Sequence, residues 1–128
     1  MSEKDLVYIC SPLHAPNREA MEKNMERAAY YTEVAAKQFG CRAIAPHSFL
    51  PAYLDDNIPK EREVALTFGL SVLQIAKAMV VCGDRINNGM KAEISKAKEW
   101  GIPVYCLLEN DTSGRIVKIE ERMRGNEV

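Results

Sequence analysis

A chain of 128 residues is the size of one domain, residues 1–128, and can bury about two-thirds of its unfolded surface without a metal or disulfide staple. Hydrophobic residues make up 47% and charged residues 27%, the mix of an ordinary globular protein. The formal net charge of −1 excludes the basic excess of a general binder of polymeric nucleic acid or anionic membrane, while leaving room for a small local cationic site.

The polar start leads into Leu6–Cys10, an apolar run too short for a signal peptide and continuous enough for a strand covered on both faces. No stretch reaches the length of a transmembrane helix, so the chain is expected to be cytoplasmic, with no membrane partner. Residues 11–17 form a loop with Pro12 and Pro16. A helix is predicted over Arg18–Phe39, where Met21, Met25, Ala28, Ala29, Thr32, Ala35, Ala36 and Phe39 recur near a period of 3.6, with Gly40 as its C-cap. A short strand over residues 41–45 ends at Pro46-His47.

Residues 49–59 read as irregular, yet Phe49, Leu50, Tyr53 and Leu54 make them as apolar as a lid or an interface. A helix starts near Pro59, with Glu61 and Glu63 favoring its N-terminus. Val64, Leu66, Phe68, Leu70, Val72, Leu73, Ile75 and Ala76 leave it apolar around much of its circumference, as in a buried helix or one at a subunit interface. The third strand is residues 79–82, followed by a loop over 83–88 and a helix from Gly89 to about Trp100. Gly101-Ile102-Pro103 stops that helix, and Val104–Leu108 is the fourth strand. A polar loop is predicted over 109–113 and a last amphipathic helix over 115–124, with Ile116, Ile119 and Met123. Cys10, Cys41, Cys82 and Cys106 each sit in or beside a different strand and form no C-x-x-C pair, so they read as reduced, buried small hydrophobes and no metal site is expected.

Strands alternating with helices imply an α/β fold: a single-domain, three-layer parallel sheet, flavodoxin-like or Rossmann-like, in the order 2-1-3-4. Ligands bind such sheets beyond the carboxyl ends of the strands where the order reverses, here between the first and third strands. The loops leaving those strands are residues 11–17 and 83–88. On the helix that follows the second loop, Met90, Glu93, Ile94, Ala97 and Gly101 share one face. A carboxylate in that stripe is costly unless paired or used, which makes Glu93 the foremost candidate for chemistry. The alternative is a Glu at the rim of the stripe, favored by the positive end of the helix.

Other residues can share this crevice. Ser11, Pro12 and His14 leave the first strand, where a hydroxyl and free backbone N–H groups suit a phosphate or sugar oxygen. Asn87, Asn88 and Gly89 precede the helix, Asn88 as the expected N-cap and Gly89 allowing close approach, with Met90 behind them. His47 could contact a base or donate a proton, and the buried Tyr8 needs a hydrogen-bond partner that Glu93 could supply. The first loop has neither G-x-G-x-x-G nor a Walker motif, so no dinucleotide or nucleoside triphosphate cofactor is expected.

Taken together, Val7-Tyr8-Ile9-Cys10-Ser11-Pro12 and the strand-loop-helix carrying Gly89-Met90-Lys91-Ala92-Glu93 resemble the nucleoside 2-deoxyribosyltransferase-like superfamily, in particular its small bacterial and phage members of unassigned function. Pro46-His47, Glu61-Arg62-Glu63 and Gly101-Ile102-Pro103-Val104 fit the same subgroup. The resemblance implies cleavage or exchange of the N-glycosidic bond of a deoxyribonucleoside or its 5'-monophosphate, with Glu93 as nucleophile, Tyr8 orienting it and Ser11 touching phosphate or sugar. It departs from the family at one place. The family's helix aspartate, which helps the leaving base, falls at Leu70, and no carboxylate occurs from residue 64 to residue 78. Asp84 or His47 would then assist the base, or the chain is a non-catalytic nucleotide-binding or nucleotide-sensing module of the same fold. The apolar helix and the segment before it predict a homodimer or higher homo-oligomer.

Overall fold

The computed structural model describes residues 1–108 and 114–119. The chain runs β1 (Leu6–Cys10), α1 (Arg18–Phe39), β2 (Arg42–Ile44), two short 3-10 turns (Pro46–Ser48 and Leu50–Ala52), α2 (Pro59–Ile75), β3 (Ala78–Val81), α3 (Asn88–Glu99), β4 (Val104–Leu108) and β5 (Arg115–Lys118). The sheet order is β2-β1-β3-β4-β5. The first four strands pair in parallel, as the alternating pattern predicts, with Tyr8 opposite Ile44 on one side and Met79 on the other.

The fifth strand corrects the expectation of a last helix over 115–124. Residues 115–118 pair antiparallel to β4, Ile116 opposite Leu107 and Val117 opposite Cys106, so the sheet is mixed. The edge of β4 offers a row of unpaired N–H and C=O groups, and the β-branched pair Ile116-Val117 suits that edge better than a helix. The polar loop at 109–113 and residues 120–124 of the expected helix lie outside the described residues.

Helix ends follow local chemistry. Asn17 Oδ1 accepts from Ala20 N at 2.8 Å to start α1, and Gly40, at φ 65°, closes it with its N–H on Ala36 O. At α3 the cap is Asn87, not Asn88: Asn87 Oδ1 accepts from Met90 N at 2.9 Å, and Asn88 is already the first helical residue. Strands β2 and β3 fall within a residue or two of their expected ends.

Successive strand residues face opposite sides of the sheet, and each side has its own core. Val7, Ile9, Val80 and Cys82 pack on Ala28, Tyr31 and Ala35 of α1. Tyr8, Cys10, Met79 and Val81 pack on Leu73 of α2 and on Met90, Ile94 and Ala97 of α3. The three layers are therefore α1, the sheet, and α2 with α3. The 49–59 segment folds back on α2, Phe49 meeting Phe68 edge-on at 5.9 Å. No helix among the described residues is long and apolar enough to cross a membrane.

Helix α2 is buried less than its composition suggests. Its inward stripe is Glu61, Ala65, Gly69, Val72 and Leu73, at spacings of three and four. Other large apolar residues lie off that stripe: Leu66 is 59% exposed and Ile75 69%. In the middle of the helix the inward positions are the small Ala65 and Gly69, and Leu73 anchors its C-terminal end in the core.

Candidate functional site

The two loops that leave the carboxyl ends of β1 and β3 touch each other. Gly83 has φ 108°, and a Cβ there would stand 2.7 Å from Pro12 Cδ, so only glycine permits this approach. Beside that contact β1 delivers Tyr8, Cys10 and Ser11, and α3 delivers Glu93 from its first turns. Cys10 Sγ lies 3.9 Å from the Met90 carbonyl oxygen, a weak contact joining strand to helix.

Glu93 sits on the stripe with Met90, Ile94 and Ala97, as the helical period requires. Its Oε2 is sealed from solvent and has no hydrogen-bond partner among the described residues. The Tyr8 hydroxyl is the side-chain donor beside this carboxylate. Burial pushes the Glu93 carboxyl above the usual glutamate range, and the Tyr8 bond and the nearby His47 pull it partly back. Burial likewise drives the Tyr8 phenol far up, with the Glu93 charge and their hydrogen bond adding to it, so Tyr8 stays protonated. Cys10 is raised by burial first, then by Glu93 and Cys82. A sealed carboxylate oxygen without a partner costs about 1–3 kcal/mol, a cost that a ligand atom would remove.

Ser11 adds a second such atom. The residue is 1% exposed, and its Oγ has no partner among the described residues. Its carbonyl oxygen lies 2.9 Å from His47 Nδ1, in the 3-10 turn after β2. A carbonyl only accepts, so Nδ1 carries the hydrogen.

Tyr8 and His47 thus both act on Glu93 from other elements, and the Ser11 carbonyl holds His47. Pro12 forms the loop contact, Asn87 is engaged as a cap, and Asn88 and Gly89 lie exposed in the first turn of α3. Met90 is fully buried beneath them. Asp84 lines a cleft of about 280 Å³ at this same loop contact, with Pro12 and Gly83, that opens toward Asn24, Arg27 and Tyr31 of α1. His14 is exposed in the first loop. A more open hollow of about 450 Å³ beside Asp56, Arg62 and Leu66 holds none of these residues and no sealed polar atom. No group of three His, Cys, Asp or Glu residues suited to a metal ion occurs among the described residues.

One residue at the site escapes sequence reasoning. The position of α2 that faces the Tyr8 hydroxyl is Gly69, whereas Leu70 is partly exposed. The signal was present in the spacing Ala65, Gly69, Leu73, but it is hidden by the apolar residues around it.

Comparison with solved structures finds a 2-deoxyribosyltransferase from the psychrotolerant bacterium Bacillus psychrosaccharolyticus, described as a biocatalyst for the synthesis of antiviral and antitumoral nucleosides. It superposes with a TM-score of 0.60 at 17% identity, over 79% of this chain and 70% of that one, so the two share a fold. No curated protein matches the chain. Residues 5–107 match a family described as a domain of unknown function, DUF7768, and the chain belongs to that family.

Proposed function

We propose that the protein breaks the N-glycosidic bond of a nucleoside or nucleoside 5'-monophosphate, most simply a deoxyribose one, by hydrolysis or by transfer to another base. The observation that carries this reading is the sealed, unpartnered Oε2 of Glu93, held beside Tyr8 at the switch point of a fold shared with a 2-deoxyribosyltransferase.

Glu93 attacks the anomeric carbon through an oxocarbenium-like transition state, forming a C–O bond as the C–N bond breaks. The electron pair of the C–N bond goes to the base nitrogen, which takes a proton. His47 is the better donor: it is tethered to Ser11 and acts electrostatically on Glu93, while Asp84 lines the cleft that opens toward α1. Water or a second base then displaces Glu93 from the sugar, and a proton returns to His47. Tyr8, neutral throughout, holds the carboxylate. Ser11 Oγ and the exposed first turn of α3, with Asn88 and Gly89, bind sugar or phosphate oxygens, and Pro12, Asn87 and Met90 shape the wall.

The test is chromatographic detection of free base after incubation with a panel of deoxynucleosides and their 5'-monophosphates. Glu93→Gln is expected to lower base release by about 10³-fold or more while leaving ligand binding, as loss of a covalent nucleophile does. Unchanged release by the variant would end the assignment.

A second reading is a nucleotide-binding module without turnover. It is favored by Gly69, since the position of α2 that faces the Tyr8 hydroxyl carries no carboxylate for the leaving base. It predicts thermal stabilization by a nucleotide with no base released.

A further inference from the structure

Helix α2 and Glu93 lie on the same side of the sheet, and Tyr8 stands between them. Glycine inside a helix is unfavorable relative to alanine, because it loses more backbone freedom on folding. Gly40, Gly83, Gly101 and Gly114 have positive φ, a conformation that favors glycine. Gly69 has no such need, since its backbone is ordinary right-handed helix. What distinguishes it is the space in front of it. A Cβ at this position would stand 3.2 Å from the Tyr8 hydroxyl oxygen, closer than ordinary van der Waals contact. Tyr8 has little freedom to yield: its backbone is paired to Ile44 and Met79 on both sides, and its ring is buried.

We propose that Gly69 is a positioning residue for the Tyr8–Glu93 pair: its missing side chain lets the phenol lie against α2 at the place from which it reaches the carboxylate. The catalytic consequence rests on the reading of Glu93 as the reacting group, whereas the geometric role does not. A methyl group at 69 pushes the phenol away, and Glu93 then loses a bond that holds its ionization at lower pH. Tyr8 and Cys10 from β1 and His47 from the turn after β2 are the ionizable groups coupled to Glu93, and Gly69→Ala disturbs the first of them.

The experiment is a cycle of four full-length chains: wild type, Gly69→Ala, Tyr8→Phe and the double variant. Thermal unfolding is measured for each, together with the titration midpoint of the Glu93 side-chain carboxyl by carbon NMR, its resonance assigned by its loss in Glu93→Gln. Gly69→Ala is expected to lower the Tm by a few degrees when Tyr8 is present and to raise it in the Tyr8→Phe background, where the hydroxyl is gone. Gly69→Ala is also expected to move the Glu93 midpoint upward, toward that of Tyr8→Phe, with no further movement in the double variant. An equal rise in Tm in both backgrounds, or a midpoint unmoved by Gly69→Ala, would overturn the proposal. Should Gly69→Ala fail to fold while the double variant folds, the crowding by the hydroxyl is established; failure of both overturns it. Neither readout uses a substrate, so an absence of base release refutes the glycosidic reading and leaves this result intact.

Discussion

Val7 and Ile9 turn one way from β1 and meet Ala28, Tyr31 and Ala35 of α1. Tyr8 and Cys10 turn the other way and meet Leu73 of α2 and Met90 and Ile94 of α3. One strand therefore serves two surfaces with different demands. On the α1 side the β1 residues are aliphatic and their contribution is packing. On the α2–α3 side a phenol, a thiol and a carboxylate share the core, and Glu93 keeps an oxygen with no partner among the described residues. The α1 face can be optimized for stability alone, whereas the opposite face gives up part of its stability to hold polar groups ready.

The largest stability effect should come from the packing face. Ile9 is almost fully buried, and Ile9→Ala is expected to cost about 2–5 kcal/mol, measured by urea unfolding. A loss below about 1 kcal/mol would mean that the α1 face is loosely packed and the contrast is false.

The polar face should respond in the opposite direction. Glu93 is held above the ordinary glutamate range by burial, so between the ordinary and the raised value the folded chain holds a proton that the unfolded chain has released. This contribution to stability is fully present below the ordinary value, falls as pH rises through the window, and is flat above the raised value. The slope inside the window is at most about 1.4 kcal/mol per pH unit. Glu93→Gln lacks this loss, so its stability relative to wild type should climb across the window, read by Tm from pH 4 to pH 8. A constant difference would show that the carboxylate ionizes as freely in the folded chain as in the unfolded one. Under the proposed glycosidic activity, the same shift requires base release by the wild type to rise with pH through the raised value, because a protonated carboxyl is not a nucleophile.

How much of this was legible beforehand depends on whether the determinant is local. Helix α1 is legible because its apolar residues recur near a period of 3.6 and Gly40 marks its end within the segment itself. Glu93 is legible because the stripe Met90, Ile94, Ala97 is clear and places it. The parallel order of four strands follows from their alternation with helices. Strand β5 was not legible, since residues 115–118 alternate too briefly and their state is decided by the open edge of β4. The bond between His47 and the Ser11 carbonyl joins loops 36 residues apart, and no local pattern carries it. Gly69 on α2 was not legible from the sequence. With apolar side chains on almost every side, that helix gives no phase from which to count.

The outward side of α2 yields the smallest effect on the isolated chain and the sharpest question about assembly. Leu66 and Val64 are more than half exposed, so in a monomer Leu66→Ser changes stability by no more than about 0.5 kcal/mol, as surface substitutions do. If α2 is the contact between two copies, as its outward apolar residues suggest, Leu66 becomes part of a buried patch. Leu66→Ser combined with Val64→Ser should then shift the mass measured by light scattering toward the monomer at micromolar concentration, with the Tm becoming less dependent on protein concentration. A wild-type chain that is already monomeric at that concentration would remove the self-association reading. It would also leave α2 as a helix whose Gly69 is turned inward for the sake of Tyr8, with Val64 and Leu66 left in water.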